Sequence, residues 1–321
     1  MNLEDEFAQY RGELVAHCYR MLGSLHDAED AVQETYLRAW RGFGEFEGRA
    51  SVKTWLYRIA TRVCLNALQH SSRRVVPSAL GAPGADPDRL APHALETPWL
   101  EPFPDLMLAA DPARIVGTRQ SLRLALVAAM QHLPPKQRAV LILRDVLAWP
   151  AADVAGLLET TTAAVNSSLQ RARAEMARLA PEEEQFSEPA EPVRRALLDD
   201  YAAAFERADF AALEGLLTRD TRWEMPPIPT WFLGRDAVLG LLKAKMSRGV
   251  GKRVMVETFA NGDRAFAWYN RGGDGAFHAH SIHVPTVTAA GVSAVMDFHR
   301  ADLFAAFGLP LHRPARDHDT A

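Results

Sequence analysis

Cysteine is nearly absent from this chain: two residues, Cys18 and Cys64, in 321. A disulfide framework is thereby excluded, and both thiols read as small core residues in a reducing compartment. His17 adjoins Cys18, yet no His and Cys spacing resembles a zinc site, so no metal is expected. No apolar run is long enough to span a bilayer and no secretory signal pattern is present. The expectation is a cytoplasmic protein without a membrane partner. Net positive charge is lacking too: 36 Lys and Arg stand against 40 Asp and Glu, for a net charge of −4. A uniformly basic nucleic-acid binder is excluded by that balance. No pattern calls for a cofactor.

What is present is an ordinary globular composition, 48% hydrophobic and 24% charged, in a chain long enough for two or three small domains. The charge is unevenly divided. Residues 1–76 hold ten basic and ten acidic side chains. Residues 113–180 hold nine basic against four acidic, a balance of +5. Residues 77–112 hold one against six, and residues 181–200 two against seven, each −5. A basic block therefore sits between two acidic stretches. These either compete with an anionic partner for the basic faces or are solvated linkers.

The basic block carries the strongest pattern, Leu133 to Arg178. Pro134-Pro135 starts a helix with apolar Val140, Leu141, Leu143, Val146 and Leu147. Pro150 opens a short helix to Leu158, because proline is tolerated in a first turn. The turn Glu159-Thr160-Thr161-Thr162 supplies helix caps. A second helix follows to Leu179, with Val165, Leu169, Ala172, Met176 and Leu179 in one buried stripe. Its other side carries Asn166, Ser167, Gln170, Arg171, Arg173 and Arg178. Amide and small side chains come first and arginines follow. That order suits a recognition helix, in which the first half reads base edges and the basic half holds phosphates. Amphipathic helix pairs that bind nothing share the same spacing.

A second block runs from Glu13 to Arg74 and reads as three helices. The first ends at Gly23. Asp27 is placed to cap the second, which turns Ala28, Ala31, Val32, Thr35 and Ala39 inward and Glu29, Asp30, Gln33 and Glu34 outward. The third starts near Ser51. Its expected core is Val52, Trp55, Leu56, Ile59, Ala60, Val63 and Ala67, and its expected outer face is Lys53, Arg58, Thr61, Arg62, Asn66, Arg73 and Arg74. Between these helices lies a glycine and aromatic loop with Phe43 and Phe46.

Together the two blocks resemble a known family. GSLHDAEDAVQETYLRAW, the aromatic loop and TWLYRIATRVCLNAL are similar to region 2 of sigma-70-type bacterial initiation factors. LPPKQRAVLILRDV with the helix-turn-helix is similar to region 4. A chain with these two regions alone resembles the extracytoplasmic-function (group 4) sigma factors. The resemblance implies two all-α domains and, as partners, bacterial RNA polymerase core and promoter DNA. By resemblance, Glu29, Asp30, Gln33 and Glu34 dock on polymerase. Phe43, Phe46, Arg58, Arg62, Asn66, Arg73 and Arg74 meet the −10 element, and the outer residues of the helix 163–179 meet the −35 element. Without the resemblance the acidic face reads as a solvated helix surface. Phe43 and Phe46 read equally as core plugs or as a seat for a flipped base.

Val75 to Asp111 is rich in Pro, Ala and Asp and reads as a flexible connector. It contains Trp99-Leu100-Glu101-Pro102-Phe103-Pro104-Asp105, and disordered linkers seldom hold such aromatics. The segment resembles the motif between regions 2 and 4 in sigma factors with a C-terminal extension. Trp99, Leu100 and Phe103 are expected to contact that extension, the alternative being local packing on region 4. Beyond Pro181 to Pro192 the periodicity changes: helices at 193–208, 210–217 and 234–247, then strands at 253–260, 264–269, 276–284 and 292–298. Helices followed by an antiparallel meander give an α+β domain. It resembles the cone-shaped SnoaL-like, nuclear-transport-factor-type fold.

The expected fold is therefore multidomain, with two all-α domains and a C-terminal α+β cone. Region 2 spans 1–76, an acidic linker 77–112, region 4 113–180, a second linker 181–192, the SnoaL-like domain 193–311 and a tail 312–321. A pocket at the cone mouth would be lined by Tyr201, Phe205, Trp223, Met225, Trp231, Trp268, His280 and Phe298, apolar with a few polar groups, and would admit a small-molecule ligand. Glu224, His278, His280, His283, Asp297 and His299 are available as acids or bases. Strand alternation puts His278 and His280 on one side and His283 on the other. The expected function is an alternative sigma factor, not an enzyme, whose extension regulates it in cis through intramolecular contact. The alternatives are a SnoaL-like isomerase, cyclase or hydrolase fused to a DNA-binding module, and a helix-turn-helix repressor with an effector pocket. Acid and base converging on one point would favour the enzyme.

Overall fold

The computed structural model describes residues 2–48, 50–70, 73–108, 121–179, 190–246 and 252–314. The second expected linker and the expected tail lie mostly outside these residues. The chain forms two compact units. One comprises Met1–Val75 with Leu100–Pro181, the other Val76–Trp99 with Glu182–Ala321.

The first unit is helical. α1 (Leu3–Leu22) ends at Gly23, whose φ of +69° suits a residue without a side chain. α2 (Leu25–Gly42) follows at once. Its cap is Ser24, not the expected Asp27: the Ser24 hydroxyl accepts from the Asp27 N–H at 3.2 Å, and the Asp27 carboxylate pairs with Arg74 instead. α3 (Val52–His70) is capped by Ser51, which accepts from Thr54 N at 3.1 Å. All five residues expected inside on α2 are buried. α3 is rotated relative to expectation. Thr61 is buried and Ala67 is exposed, because the helix also packs on α1, where His17 Nε2 lies 2.9 Å from Thr61 Oγ1. The Thr61 hydroxyl donates to Tyr57 O at 2.8 Å, so His17 donates from Nε2. Its bare Nδ1 is buried without a partner, and burial holds the imidazole pKa down at about 3.

The same unit continues with α4 (Leu124–Met130), α5 (Pro135–Leu141) prolonged by one π turn (Ile142–Val146), α6 (Ala151–Leu157) and α7 (Thr162–Leu179). Arg138 on α5 is buried and donates to Met21 O, Gln131 O, Gln131 Oε1 and Leu133 O. Arg20 Nε donates to Ser121 Oγ at 3.1 Å. Residues 100–108 join this unit. The Glu101 carboxylate accepts from Ser24 Oγ at 2.9 Å and His26 N at 3.3 Å, its carbonyl accepts from Tyr19 Oη at 2.7 Å, and Phe103 packs on Tyr19.

The second unit is α+β: α8 (Glu191–Arg207), α9 (Phe210–Leu216), β1 (Leu217–Met225), β2 (Ile228–Leu233), α10 (Arg235–Lys245), β3 (Arg253–Ala260), β4 (Asp263–Arg271), β5 (Phe277–Thr288), β6 (Gly291–Phe298), α11 (Leu303–Ala306) and β7 (His312–Arg313). The sheet order is β2-β1-β6-β5-β4-β3, with β7 on β5. β3 to β6 form the expected meander, and β1 joins β6 in parallel. The core on the helix side is built from Phe205, Trp223, Phe232, Leu242, Phe266 and Val295.

Residues 76–99 belong to this unit and are not the free connector that their composition suggested. They run along the β1-β2 edge. Gly84 N donates to Trp231 O (2.7 Å), Ala94 N to Pro227 O (2.9 Å), Ala91 N to Thr230 Oγ1 (2.8 Å) and Ser78 N to Glu224 Oε2 (2.8 Å), and Trp231 Nε1 donates back to Gly81 O (2.9 Å). A Cβ on Gly84 would stand 2.8 Å from Thr230 Cγ2, so glycine permits the approach. The edge strand β2 is thus covered by its own chain.

Candidate nucleic-acid interface and ligand pocket

The loop after α2 and the start of α3 enclose an open cleft of about 480 Å³, lined by Phe46, Trp55, Arg58, Ile59, Arg62 and Arg38 among others. Phe43 and Phe46 are half-buried and parallel at 6.2 Å, and Phe46 meets Trp55 at 4.9 Å. Phe46 and Trp55 line the cleft with three guanidinium groups, those of Arg38, Arg58 and Arg62, while Phe43 stacks behind Phe46 outside the lining. Arg62 reaches Glu159 in the turn before α7 at 3.1 Å. Asn66 is exposed further along α3. Arg73 lies 3.1 Å from His132 Nδ1, and burial, then Arg73, lowers the His132 pKa.

On α7, Asn166, Ser167, Gln170 and Arg171 are exposed. Arg173 holds Asp145 through two hydrogen bonds of 2.9 and 2.7 Å, and Arg178 holds Glu175 through two of 3.0 and 2.6 Å. On α2, Asp30 and Gln33 are exposed, Glu29 pairs with Arg11 at 3.3 Å and Glu34 with Arg38 at 2.7 Å. Leu37 and Trp40 stand 47% and 57% exposed on the same helix. Both were missed in the sequence, where their position off the apolar stripe was the available signal.

The second unit holds a pocket of about 420 Å³. Trp223, Met225, Trp268 and His280 line it as expected. The other four expected residues do not. Tyr201 and Phe205 are buried behind it, Trp231 bonds the 76–99 segment, and Phe298 alternates away because Asp297 points in. Asp297 and His299 do reach the pocket. A buried array runs Tyr201 Oη, 2.6 Å to His283 Nε2; His283 Nδ1, 3.5 Å to Asp297 Oδ1; Asp297 Oδ2, 3.0 Å to His299 Nε2. The two imidazoles hold Asp297 well below the usual carboxylate range against the opposing effect of burial. His299 is raised by Asp297 despite its own burial. His280 is pushed down to about 4, chiefly by burial and then by His299.

The expected parity of the histidines is corrected here. The β4-β5 register shifts between Trp268, opposite Ser281, and Tyr269, opposite Ala279, so His280 is an extra, bulged residue. His280 meets Trp268 at 4.4 Å, and His283 meets Phe205 and Trp223 at 5.1 Å each, all within one aromatic cluster. His278 instead pairs with Asp274 and His312.

Comparison with known proteins gives three successive family matches: Sigma-70 region 2 over residues 7–74, Sigma-70 region 4 over 123–176, and a SnoaL-like domain over 198–302. The ECF RNA polymerase sigma factor SigG of Mycobacterium tuberculosis is 48% identical over 304 residues, which is 94% of this chain and 82% of SigG. The chain belongs to the ECF RNA polymerase sigma factors. Another member, SigJ of the same organism, is 33% identical over 172 residues, 52% of this chain and 48% of its own. The crystal structure of SigJ shares the fold, with a TM-score of 0.64 at 24% identity over 97% of this chain and 100% of that one. No helix among the described residues of this ECF sigma factor is long and apolar enough to cross a membrane.

Within the sigma factor, the residues expected at the −10 element are only partly gathered. Phe46, Arg58 and Arg62 share the cleft, whereas Arg74 is taken by Asp27. The Trp99 to Asp105 motif is divided between the units. The Trp99 indole donates to Ala94 O at 2.8 Å, while Leu100 N donates to Val75 O and Phe103 packs on Tyr19.

Proposed function

We propose that this ECF sigma factor docks on RNA polymerase core through α2, with Asp30, Gln33, Leu37 and Trp40. It captures an unpaired −10 base in the Phe46–Trp55–Arg58 cleft and reads −35 DNA through Asn166, Ser167, Gln170 and Arg171. The C-terminal domain, with boundaries near those of the SnoaL-like match, controls it in cis by holding the linker. Residues 76–99 carry this reading, since they connect regions 2 and 4 yet are bonded along β2. Promoter elements about 25 base pairs apart lie roughly 85 Å apart in duplex, at 3.4 Å per base pair. Regions packed together through buried Arg138, which donates to Met21 O, and with Arg62 3.1 Å from Glu159 cannot read both. Separation needs slack. Releasing 24 residues (76 to 99) adds as much as about 80 Å, at roughly 3.3 Å per residue. The held form is the idle one.

The domain serves as a regulatory module without catalysis. Acid and base do converge in the pocket, but Asp297 is already matched by two histidines, His299 is committed to Asp297, which raises it, and His280 is pushed down to about 4. A general base works best with a pKa near the working pH.

A tether tests the linker mechanism. Gly84→Cys with Thr230→Cys, oxidised, locks the linker onto β2, while native Cys18 and Cys64 are buried. Transcription by core polymerase should fall on oxidation and return with reductant. Full activity of the oxidised, bridged protein would refute linker release.

A further inference from the structure

The pocket of the C-terminal unit divides its lining in a way that specifies a ligand. Its interior is apolar, formed by Trp223, Met225, Leu241, Leu242 and Trp268. Its edge is cationic. Lys245 ends α10, Lys252 and Arg253 lie where β3 begins, and Arg271 ends β4. Arg253 stands opposite Asn270 in the β3-β4 register, which brings these groups to one end of the sheet. Among the described residues Asp297 is the one carboxylate of the lining, and its oxygens lie 3.0 Å from His299 and 3.5 Å from His283. Lys245 also meets Asp88, at a loose 3.8 Å, with the Asp88 carboxylate largely in water. Arg253 is buried and donates to Glu206 O at 3.5 Å, so the cationic edge is carried chiefly by exposed Lys252 and Arg271, whose backbones are bonded to each other at 2.7 Å and of which Arg271 also donates from Nε to Gly275 O at 3.3 Å.

Apolar walls alone would accept any small hydrophobic molecule. The cationic edge changes the preference, because a cation near a low-dielectric wall attracts an anion more strongly than it would in open water. Between the two zones sits His280. Its ring is packed against Trp268 and His299, and no hydrogen bond to its nitrogens is present among the described residues. It is neutral at physiological pH and offers a further polar contact.

We propose that this pocket binds a small amphipathic carboxylate, with an apolar ring or chain against Trp223 and Trp268 and its carboxylate at the Lys252–Arg271 edge. A volume of about 420 Å³ suits a compact molecule of this kind. The assignment deepens the reading of the C-terminal domain as a regulatory module and rests on it. Such a ligand adjusts transcription only if it binds the linker-held and linker-released forms unequally. Met225 and Ile228 line the pocket from the β1-β2 hairpin whose outer edge bonds residues 76–99, so both events act on one hairpin.

The test is calorimetry on the full chain with 2-naphthoate and its neutral counterpart 2-naphthamide. The carboxylate should bind at least about tenfold more tightly, the effect expected of one charge-assisted contact. Added salt should weaken it and leave the amide unchanged. Lys252→Met with Arg271→Met, both exposed positions, should erase the preference while keeping amide affinity. Equal or tighter amide binding, no binding of either probe, or a preference that survives the double substitution overturns the proposal. Run-off transcription with and without 2-naphthoate separates the two claims. Selective binding without any change in transcript upholds the ligand class and refutes its regulatory coupling.

Discussion

Replacing Glu224 with leucine should loosen the linker from its edge strand by a calculable amount. Glu224 is only 2% exposed. Its Oε2 accepts from Ser78 N at 2.8 Å and its Oε1 from Arg222 Nε at 3.0 Å. The Arg222 side chain is 45% exposed, so that ion pair contributes about 0–1 kcal/mol and its loss is met by water. The bond to Ser78 is different, because a buried carboxylate accepting from a backbone N–H is worth about 1.5–3 kcal/mol. At about 1.4 kcal/mol per decade, residues 77–80 should open roughly 10- to 100-fold more often. The Ala79 and Leu80 amides, bonded to Val76 O and Pro77 O, share that turn and report its opening. Hydrogen exchange followed by mass spectrometry on the full chain resolves the segment. Peptides over 84–94 should respond less, since Gly84, Ala91 and Ala94 keep their own bonds. Glu224→Gln retains an acceptor oxygen and should fall between. Unchanged exchange at 77–80 in the leucine variant, or wild-type exchange there at the unprotected rate, would refute the reasoning.

Three further perturbations address other parts of the molecule. Arg171→Ala should weaken binding to −35 duplex and lower the salt dependence by about one charge, and identical binding at low and moderate salt would remove Arg171 from the interface. Asp30→Arg should impair polymerase capture with no change in thermal unfolding, since Asp30 is exposed, and wild-type capture would take it off the docking face. His17 is held at about 3 against an ordinary 6.5. The unfolded chain therefore binds its proton first, and stability is lost as pH falls below about 6.5. Between pH 7.5 and 5 the loss is about 2 kcal/mol at 1.36 kcal/mol per unit. His17→Gln should show a shallower pH dependence by that amount in urea titrations, His280 contributing equally to both proteins, and parallel slopes would contradict it.

Helices were legible because a 3.6-residue period is local, and so were their faces except on α3, where packing on α1 buries Thr61 and leaves Ala67 exposed. Of the stripe Val165, Leu169, Ala172, Met176 and Leu179 the first four are buried as read and Leu179 is half-buried, and the five inward residues of α2 are buried. Strand positions were legible from β-branched runs, but parity was not. One bulged residue, His280, brought His283 to the side that parity gave to His278, and no composition signals a bulge. β2 was missed because Pro229 sits within it; proline is tolerated there on an edge strand. The parallel joining of β1 to β6 is non-local and left no trace in either strand. The capture of residues 76–99 was hidden for a related reason. Their bonds to the sheet are largely made by backbone groups, which every sequence possesses, while their Pro, Ala and Asp content imitates a free linker. In the pocket, Trp223 and Trp268 were foreseen, whereas Tyr201, Phe205, Trp231 and Phe298 lie outside the lining, and the lysines and arginines of its edge come from three separate elements that only the fold unites.

The central claim is tested most directly by run-off transcription with core polymerase, comparing the full chain with a chain ending at residue 190. The account predicts promoter-specific transcript from both, and more from the shortened chain, whose linker has no sheet to hold it. Equal transcript from the two would contradict control by the C-terminal domain. No specific transcript from either would contradict the initiation-factor function itself.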